Sequence, residues 1–436
     1  MQLTSKLTPK QSIASALAMA SCSLLSQQAN AQEPVPANDD WKVDAAIMYY
    51  GEQDRVQAVE AIGNVQKAFG EDSLLDMKIV VDSLTGASAS GAVAQSISQT
   101  FTRPSGKGEY TVAPGETPLD DTFQDTRVQL SANWQEILNP DWTVNLGVYG
   151  SKEYDYLSLG LNAGVERSFN KNNTTLALSG AYTNDTVDPV GGRPVALSEM
   201  VFRGDYDGDD AFQAAFDATR LDGDDTKQTA DVMLGVTQIL NRNWLMQANY
   251  GFSSVSGYMT DPYKILSMVD GNGESHGYRY ENRPDSRTKH SVFLLAKGAL
   301  DSGVIDFSYR YNTDDWDIQA HTLETHYRYY FTPSLYGQLH LRYYQQQAAE
   351  FYQPFLRTEA ALPEYASADY RIGDMSAYTV GLKFGHRLSG GHELSYRIEY
   401  YQQNPENNGT DIPGELNNQD LFPSVKAIVA QISYSF

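Results

Sequence analysis

Apolar and polar residues alternate with a period of two over most of this chain. From Trp142 to Tyr149, the residues Trp142, Val144, Leu146 and Val148 fall on one side of an extended segment, and Thr143, Asn145 and Gly147 on the other. The pattern recurs with Leu157, Leu159, Leu161, Ala163 and Val165, with Trp244, Met246, Ala248, Tyr250 and Phe252, and with Ile305, Phe307, Tyr309 and Tyr311. Successive side chains of a strand point to opposite faces, so each such stretch predicts a strand with one greasy and one wet side. Sixteen segments carry it: 41–51, 55–69, 73–83, 122–138, 142–152, 155–169, 174–187, 225–240, 244–258, 286–300, 303–317, 318–331, 335–352, 375–388, 393–404 and 424–436.

The connections divide into two kinds that alternate. Gly70-Glu71-Asp72, Asn139-Pro140-Asp141, Asn170-Lys171-Asn172-Asn173, Asn241-Arg242-Asn243, Asp301-Ser302, Thr332-Pro333-Ser334 and Ser389-Gly390-Gly391 are short and built of turn formers. The intervening ones are longer, notably 84–121, 188–224, 259–285, 353–374 and 405–423. A soluble β-sandwich also alternates, but has no reason to gather its long loops at one end. The expected fold is therefore all-β, a transmembrane antiparallel up-and-down β-barrel of about 16 strands, apolar outside and polar within.

The last segment, 424–436, reads as the closing strand. Ile428, Ala430, Ile432, Tyr434 and Phe436 are expected to face lipid, and Val429, Gln431, Ser433 and Ser435 the interior. Outward Tyr434 and terminal Phe436 resemble the signal by which barrel-insertion machinery recognises its clients.

Composition sharpens this picture. Tyrosine, at 29 residues against 5 Trp, suits a protein that keeps amphipathic rings at membrane–water interfaces. Tyr327, Tyr329, Phe331, Leu335, Leu339, Leu341 and Tyr343 form such an outward row, and Trp142 and Trp244 open strands where a periplasmic girdle is expected. A formal charge of −23 with no basic stripe excludes nucleic acid as a partner. Lys6 and Lys10, the apolar stretch from Ile13 to Leu25, and Ala29-Asn30-Ala31 read as an export signal over 1–31, leaving a barrel over 32–436. A lipoprotein with Cys22 lipidated is the competing reading, disfavoured by Met19 and by the apolar residues after the cysteine. Because Cys22 is the only cysteine, the mature chain has no disulfide, thiol nucleophile or iron–sulfur ligation. The expected location is the outer membrane of a Gram-negative bacterium, with its lipid and insertion machinery as partners.

Candidate chemistry lies on inward positions. A symmetric turn at Thr332-Pro333-Ser334 sets His326 opposite His340, Glu324 opposite Arg342 and Arg328 opposite Gln338. Glu324 with Arg342 reads as an ion pair stiffening the wall. The facing histidines suit a metal or a pH sensor, with no third ligand fixed by spacing. Asp306, Arg310, Lys383, Arg387, Arg397 and Glu399 also fall inward, giving a lumen of mixed charge that orients polar solutes. In the acidic connection 188–224, Asp205, Asp207 and Asp209 offer alternate oxygens to calcium, although Asp210 and Phe216 exclude an EF-hand. No other cofactor is expected. Hydrolase and phosphate-loop motifs are missing, so the chain is not expected to be an enzyme; Asp314, Asp315, Asp317 and His321 are the one rim cluster that a hydrolase reading would use.

Two stretches carry a resemblance: "VVDSLTGASASGA" at 80–92, and "YMTDPYKILSMVD" at 258–270 followed by "YRYENRPDSRTKHS" at 278–291. They resemble an uncharacterised family of proteobacterial outer-membrane barrels, known only as a domain of unknown function, over nearly the whole mature chain. That family's genes often neighbour those for a flavin-attaching transferase, a small lipoprotein and a thioredoxin-like protein. The resemblance thus implies a periplasmic or surface redox partner and supplies no catalytic residues. Asp261, Tyr263, Lys264, Arg283, Asp285 and Arg287, which lie in its motifs, are the expected loop plug or partner-docking surface. The function expected is porin-like passage of a small polar solute, with a docking barrel for a flavin or redox system as the alternative.

Overall fold

A computed structural model describes residues 41–407 and 409–436, apart from the side chains of 121–123. The export signal lies outside the described residues. Sixteen barrel strands are numbered here in chain order: β1 Trp41–Glu52, β2 Val56–Phe69, β3 Ser73–Ala89, β4 Leu119–Asn139, β5 Trp142–Lys152, β6 Tyr156–Phe169, β7 Thr174–Val187, β8 Asp225–Ile239, β9 Trp244–Gly257, β10 Ser286–Leu300, β11 Gly303–Asp314, β12 Gln319–Tyr330, β13 Leu335–Gln346, β14 Met375–Arg387, β15 Glu393–Pro405 and β16 Val425–Ser435. Each pairs antiparallel with its neighbours, and β1 pairs with β16 to close the ring. At the seam Phe436 and Val43 exchange two backbone hydrogen bonds, of 2.7 and 2.8 Å. Closure leaves no strand edge, the condition under which a sheet survives in hydrocarbon.

The alternation read from the sequence sorts the two faces. Ile47, Leu146, Leu161 and Ile398 project outward, each 58–64% exposed, while Thr143, Gln247 and Gln431 point inward and are buried. Of the residues expected outward on the closing strand, Ile428, Ile432, Tyr434 and Phe436 are exposed and Ala430 is half-buried; of those expected inward, Gln431 and Ser435 are buried and Val429 and Ser433 half-buried. Outward aromatics Trp41, Phe69, Trp142, Trp244, Phe331 and Phe436 ring the end of the barrel that carries the short turns. One of those turns takes Asn170, Lys171 and Asn172 through positive φ (51°, 58° and 64°), a conformation that asparagine tolerates better than most residues.

Strand ends depart from expectation at the loop end of the barrel. β3 runs on to Ala89 because it pairs with an extended β4 beyond the region of alternation. β11 stops at Asp314, whose side chain accepts the amides of Trp316 and Ile318 and turns the chain. β13 stops at Gln346, whose side-chain amide donates to the carbonyls of Arg371 and Gly373 in the following connection.

The long connections fold together into a cap over this end. One hairpin joins Gln99–Thr102 to Glu109–Val112, and a second joins Ile265–Val269 to Ser275–Tyr280, with Leu356–Arg357 added in parallel. The helix Asp209–Asp217 buries Phe212 and Phe216. Four apolar clusters lie in this cap, among them one of Ala92, Phe101, Val112, Met200, Ile265, Tyr278 and Tyr280 and another around Trp316, Phe351 and Tyr352. Among the described residues, the barrel's hydrophobic cores are thus mostly in its loops, since the wall turns its greasy face outward.

Candidate functional site

Register carries one lateral row of inward residues across five strands: Asp306 on β11, His326 on β12, His340 on β13, Gly381 on β14 and Glu399 on β15. The cross-strand pairs expected from the Thr332-Pro333-Ser334 turn are all present, including Arg328 with Gln338, which form two hydrogen bonds of 3.0 and 2.9 Å. The two imidazoles stack, with centroids 4.5 Å apart and planes 9° from parallel. His326 Nδ1 lies 2.8 Å from Asp306 Oδ1. His340 is 3% exposed, with Nδ1 3.3 Å from Glu399 Oε1, an ion-pair distance rather than an aligned hydrogen bond.

Glu324 departs from the expected pairing. It stands opposite Arg342 in register, but its Oε1 lies 3.0 Å from His340 Nε2 and 3.4 Å from His326 Nε2, and the Arg342 guanidinium sits over the Tyr344 ring at 5.4 Å. A short carboxylate two residues before His326 on the same face meets the facing ring more easily than a long guanidinium directly across. The structure therefore supplies the third group that spacing left open: ligand atoms of Glu324, His326 and His340 all lie within 4.8 Å of one another.

Gly381 is the member of this row that sequence reading passed over. A Cβ there would stand 2.7 Å from both Cγ and Oε1 of Glu399. The bare backbone on β14 is what lets Glu399 lie across that strand and reach His340. Its signal was a glycine at an inward position between Thr379 and Lys383, which means little until β15 places Glu399 opposite it.

The remaining lumen candidates line the wall around this cluster. Arg310 lies over the Phe293 ring at 5.2 Å, and Arg397, 5% exposed, bonds Gln431 and lies 3.8 Å from Glu399. Lys383 is buried opposite Arg397 in register. Arg387 is at the mouth on the turn end, half-exposed, 5.7 Å over the Tyr330 ring. On this side of the wall the lumen charges are thus packed against one another, and ion pairs of Arg127 with Asp82 and of Lys227 with Asp185 line other strands.

A second constellation holds the cap together. Arg283 makes two hydrogen bonds to fully buried Glu281, 2.6 and 3.1 Å, and a third to Asp369 at 2.8 Å. Arg371 pairs with Asp369 and Asp261, both at 2.6 Å, and Lys264 donates to the carbonyl of Ala89 at the end of β3. Burial pushes the Asp261 and Asp369 carboxyls up, yet Arg371, Arg283 and Lys264 outweigh it and hold both below the ordinary carboxylate range. For Glu281 burial wins and its carboxyl is raised. Of the expected docking residues, Asp261, Lys264 and Arg283 come together here, joined by Glu281, Asp369 and Arg371, which were not foreseen. Tyr263 instead bonds Asp155 and accepts the Val190 amide. Arg287 pairs with Asp314 and lies 4.3 Å over Trp316, and Asp285 is exposed.

Asp205, Asp207 and Asp209 are all exposed, and Asp209 is paired to Arg203 at 2.7 Å. They are not among the convergent groups found in the described residues, which besides the lumen cluster are Asp270, Glu274 and His276, and Asp125, Glu153 and Asp155. His321 turns outward to bond Tyr309 at 2.8 Å while Asp314 serves Arg287, so the rim cluster is not assembled into one site.

Residues 14–436 match the model of a protein family described as "Protein of unknown function (DUF3570)", and the chain belongs to that family. No curated protein matches it. Among solved structures it is similar to a bacterial polysaccharide outer membrane secretin, at 8% identity and a TM-score of 0.43, covering 91% of this chain and 99% of that one. OccK1 (OpdK) of Pseudomonas aeruginosa follows at 10% and 0.39, covering 91% and 98%, and OccAB1 of Acinetobacter baumannii at 8% and 0.40, covering 93% and 99%. At such identities and scores nothing about a ligand or activity passes to this chain.

Proposed function

We propose that this protein is an outer-membrane barrel through which a small polar solute crosses, guarded on the loop side by its folded cap. The supporting observation is the closed ring of strands with an apolar exterior and an interior that carries both charge signs, Arg310, Arg328, Lys383 and Arg397 beside Asp306, Glu324 and Glu399. Opposed fixed charges across a lumen orient a polar solute and set which ions pass. The outward aromatic pair Tyr434 and Phe436, 5.6 Å apart at the turn end, is the feature insertion machinery would read.

Purified protein reconstituted into a planar lipid bilayer should give stepwise conductance openings whose size falls when Arg397 is replaced by tryptophan. Silent membranes containing folded protein would refute solute passage. One observation favours a second reading, docking of an extracytoplasmic redox partner: the cap is a folded surface of fixed shape, braced by the Glu281–Arg283–Asp369–Arg371 network. Silent bilayers together with a co-purifying partner lost on cap substitution would favour docking.

A further inference from the structure

The lateral row on the inner wall has an electrostatic problem that its own residues do not solve with neutral rings. Each imidazole is bracketed by carboxylates at both nitrogens, His326 by Asp306 and Glu324, and His340 by Glu399 and Glu324. A neutral imidazole has one N–H, so in either tautomer one of its lone pairs faces a carboxylate oxygen. With His326 Nδ1–H on Asp306 and His340 Nδ1 facing Glu399 at 3.3 Å, the Nε2 atoms of both rings and Glu324 Oε1 are left close together between β12 and β13. A cation there satisfies all three.

We propose that Glu324, His326 and His340 bind one divalent first-row transition-metal ion on the inner wall of the barrel. Donor atoms of a four-coordinate ion with bonds of about 2.0–2.1 Å stand about 3.3 Å apart. The Glu324 oxygen is already 3.0 and 3.4 Å from the two imidazole nitrogens, and all three donors lie within 4.8 Å. Two imidazoles and one carboxylate form a borderline donor set, suited to zinc and its neighbours rather than to magnesium or calcium. Asp306, 2.8 Å from His326 Nδ1, occupies the position from which a carboxylate orients a metal-bound histidine through its far nitrogen, and Glu399 stands at ion-pair distance, 3.3 Å, from His340 Nδ1. Three protein donors leave a coordination position open toward the lumen, for water or a solute oxygen. Because an ion lies in the plane of the imidazole that binds it, occupancy turns the rings out of their 9° stack by rotation about χ2. The site does not depend on whether the barrel conducts, since it uses wall residues of two adjacent strands alone.

The test uses untagged full-length barrel folded in detergent and stripped with a chelator. Calorimetric titration with zinc chloride near neutral pH should give one site per chain. Glu324→Gln and His340→Ala, checked for folding by their electrophoretic mobility without heating, should remove it. Asp306→Asn should weaken binding about 10- to 100-fold, and His276→Ala in the exposed cap should leave it unchanged. Because a ligand variant can fail to fold, the wild-type protein loaded with copper(II) provides an independent reading. Its paramagnetic resonance spectrum should show superhyperfine coupling to two imidazole nitrogens. No binding by the folded wild type, stoichiometry unaltered by the ligand substitutions, or coupling to fewer than two nitrogens would overturn the proposal.

Discussion

Alanine at position 381 is the sharpest probe of the lumen cluster. Gly381 is not one of the glycines held at positive φ, so its extended backbone accepts a Cβ without strain. The added carbon would meet Glu399 Cγ and Oε1 at 2.7 Å and Cδ at 3.0 Å, inside any normal contact, so the carboxylate must swing away from His340. Glu399 is 5% exposed, and losing a charged partner in such a place costs about 1.5–3 kcal/mol. Alanine in place of glycine in a strand returns about 0.5–1 kcal/mol. The net expectation is a loss of about 1–2 kcal/mol, read as a lower urea midpoint at unchanged slope in detergent or vesicles. The decisive control is Glu399→Ala, which removes the obstructing side chain. In that background Gly381→Ala should be neutral or stabilising, giving a coupling of about 1 kcal/mol or more in the double-mutant cycle. Equal effects of Gly381→Ala in both backgrounds, or no effect in the wild type, would refute the idea that this glycine exists to let Glu399 through.

Three further outcomes are expected. Asp369→Ala removes the buried carboxylate that Arg283 and Arg371 share, leaving each with a single partner, Glu281 or Asp261, and should destabilise the cap by about 1.5–3 kcal/mol; limited proteolysis should cut the loops between 258 and 374 while the barrel core stays resistant. At the rim, burial and then the Asp125 charge push the Glu153 carboxyl up to about 7. An acid whose pKa is raised on folding binds a proton more tightly in the native state, so its contribution is full below the unfolded value of about 4.3 and is lost as pH rises through about 7. Stability of the rim, followed by amide hydrogen exchange of residues 153–156, should therefore fall between about pH 4 and 7 in the wild type and not in Glu153→Gln. On the outer face, Leu161→Arg places a charge on a side chain that is 59% exposed; unfolding from lipid vesicles should show a cost of about 2–4 kcal/mol that shrinks in detergent, where the charged head reaches water.

Much of the barrel was legible in the chain, and the reason is geometric. A strand's side-chain period is two, lipid on one side and water on the other impose opposite chemistry, and a tight turn fixes the register of the strands it joins. Those facts suffice to place His326 opposite His340 and Glu324 opposite Arg342, as found. They fix Cα partners and faces, but not where a long side chain goes once there. Glu324 chose two imidazoles over its facing arginine, and Glu399 crossed β14 because residue 381 is glycine. The first lies within one hairpin and turns on side-chain length and reach, which register does not state; the second depends on β14 and β15, whose register against β13 passes through a long connection that no local rule spans. The cap was less legible still. Glu281-x-Arg283 and Asp369-x-Arg371 are visible as acid–arginine pairs two residues apart, but the contact that joins them links residues 86 apart in the chain. Loops lack the two-solvent constraint that writes a strand's faces into its sequence, so their packing, and with it the burial that shifts their carboxyls, was decided only when the tertiary structure brought them together.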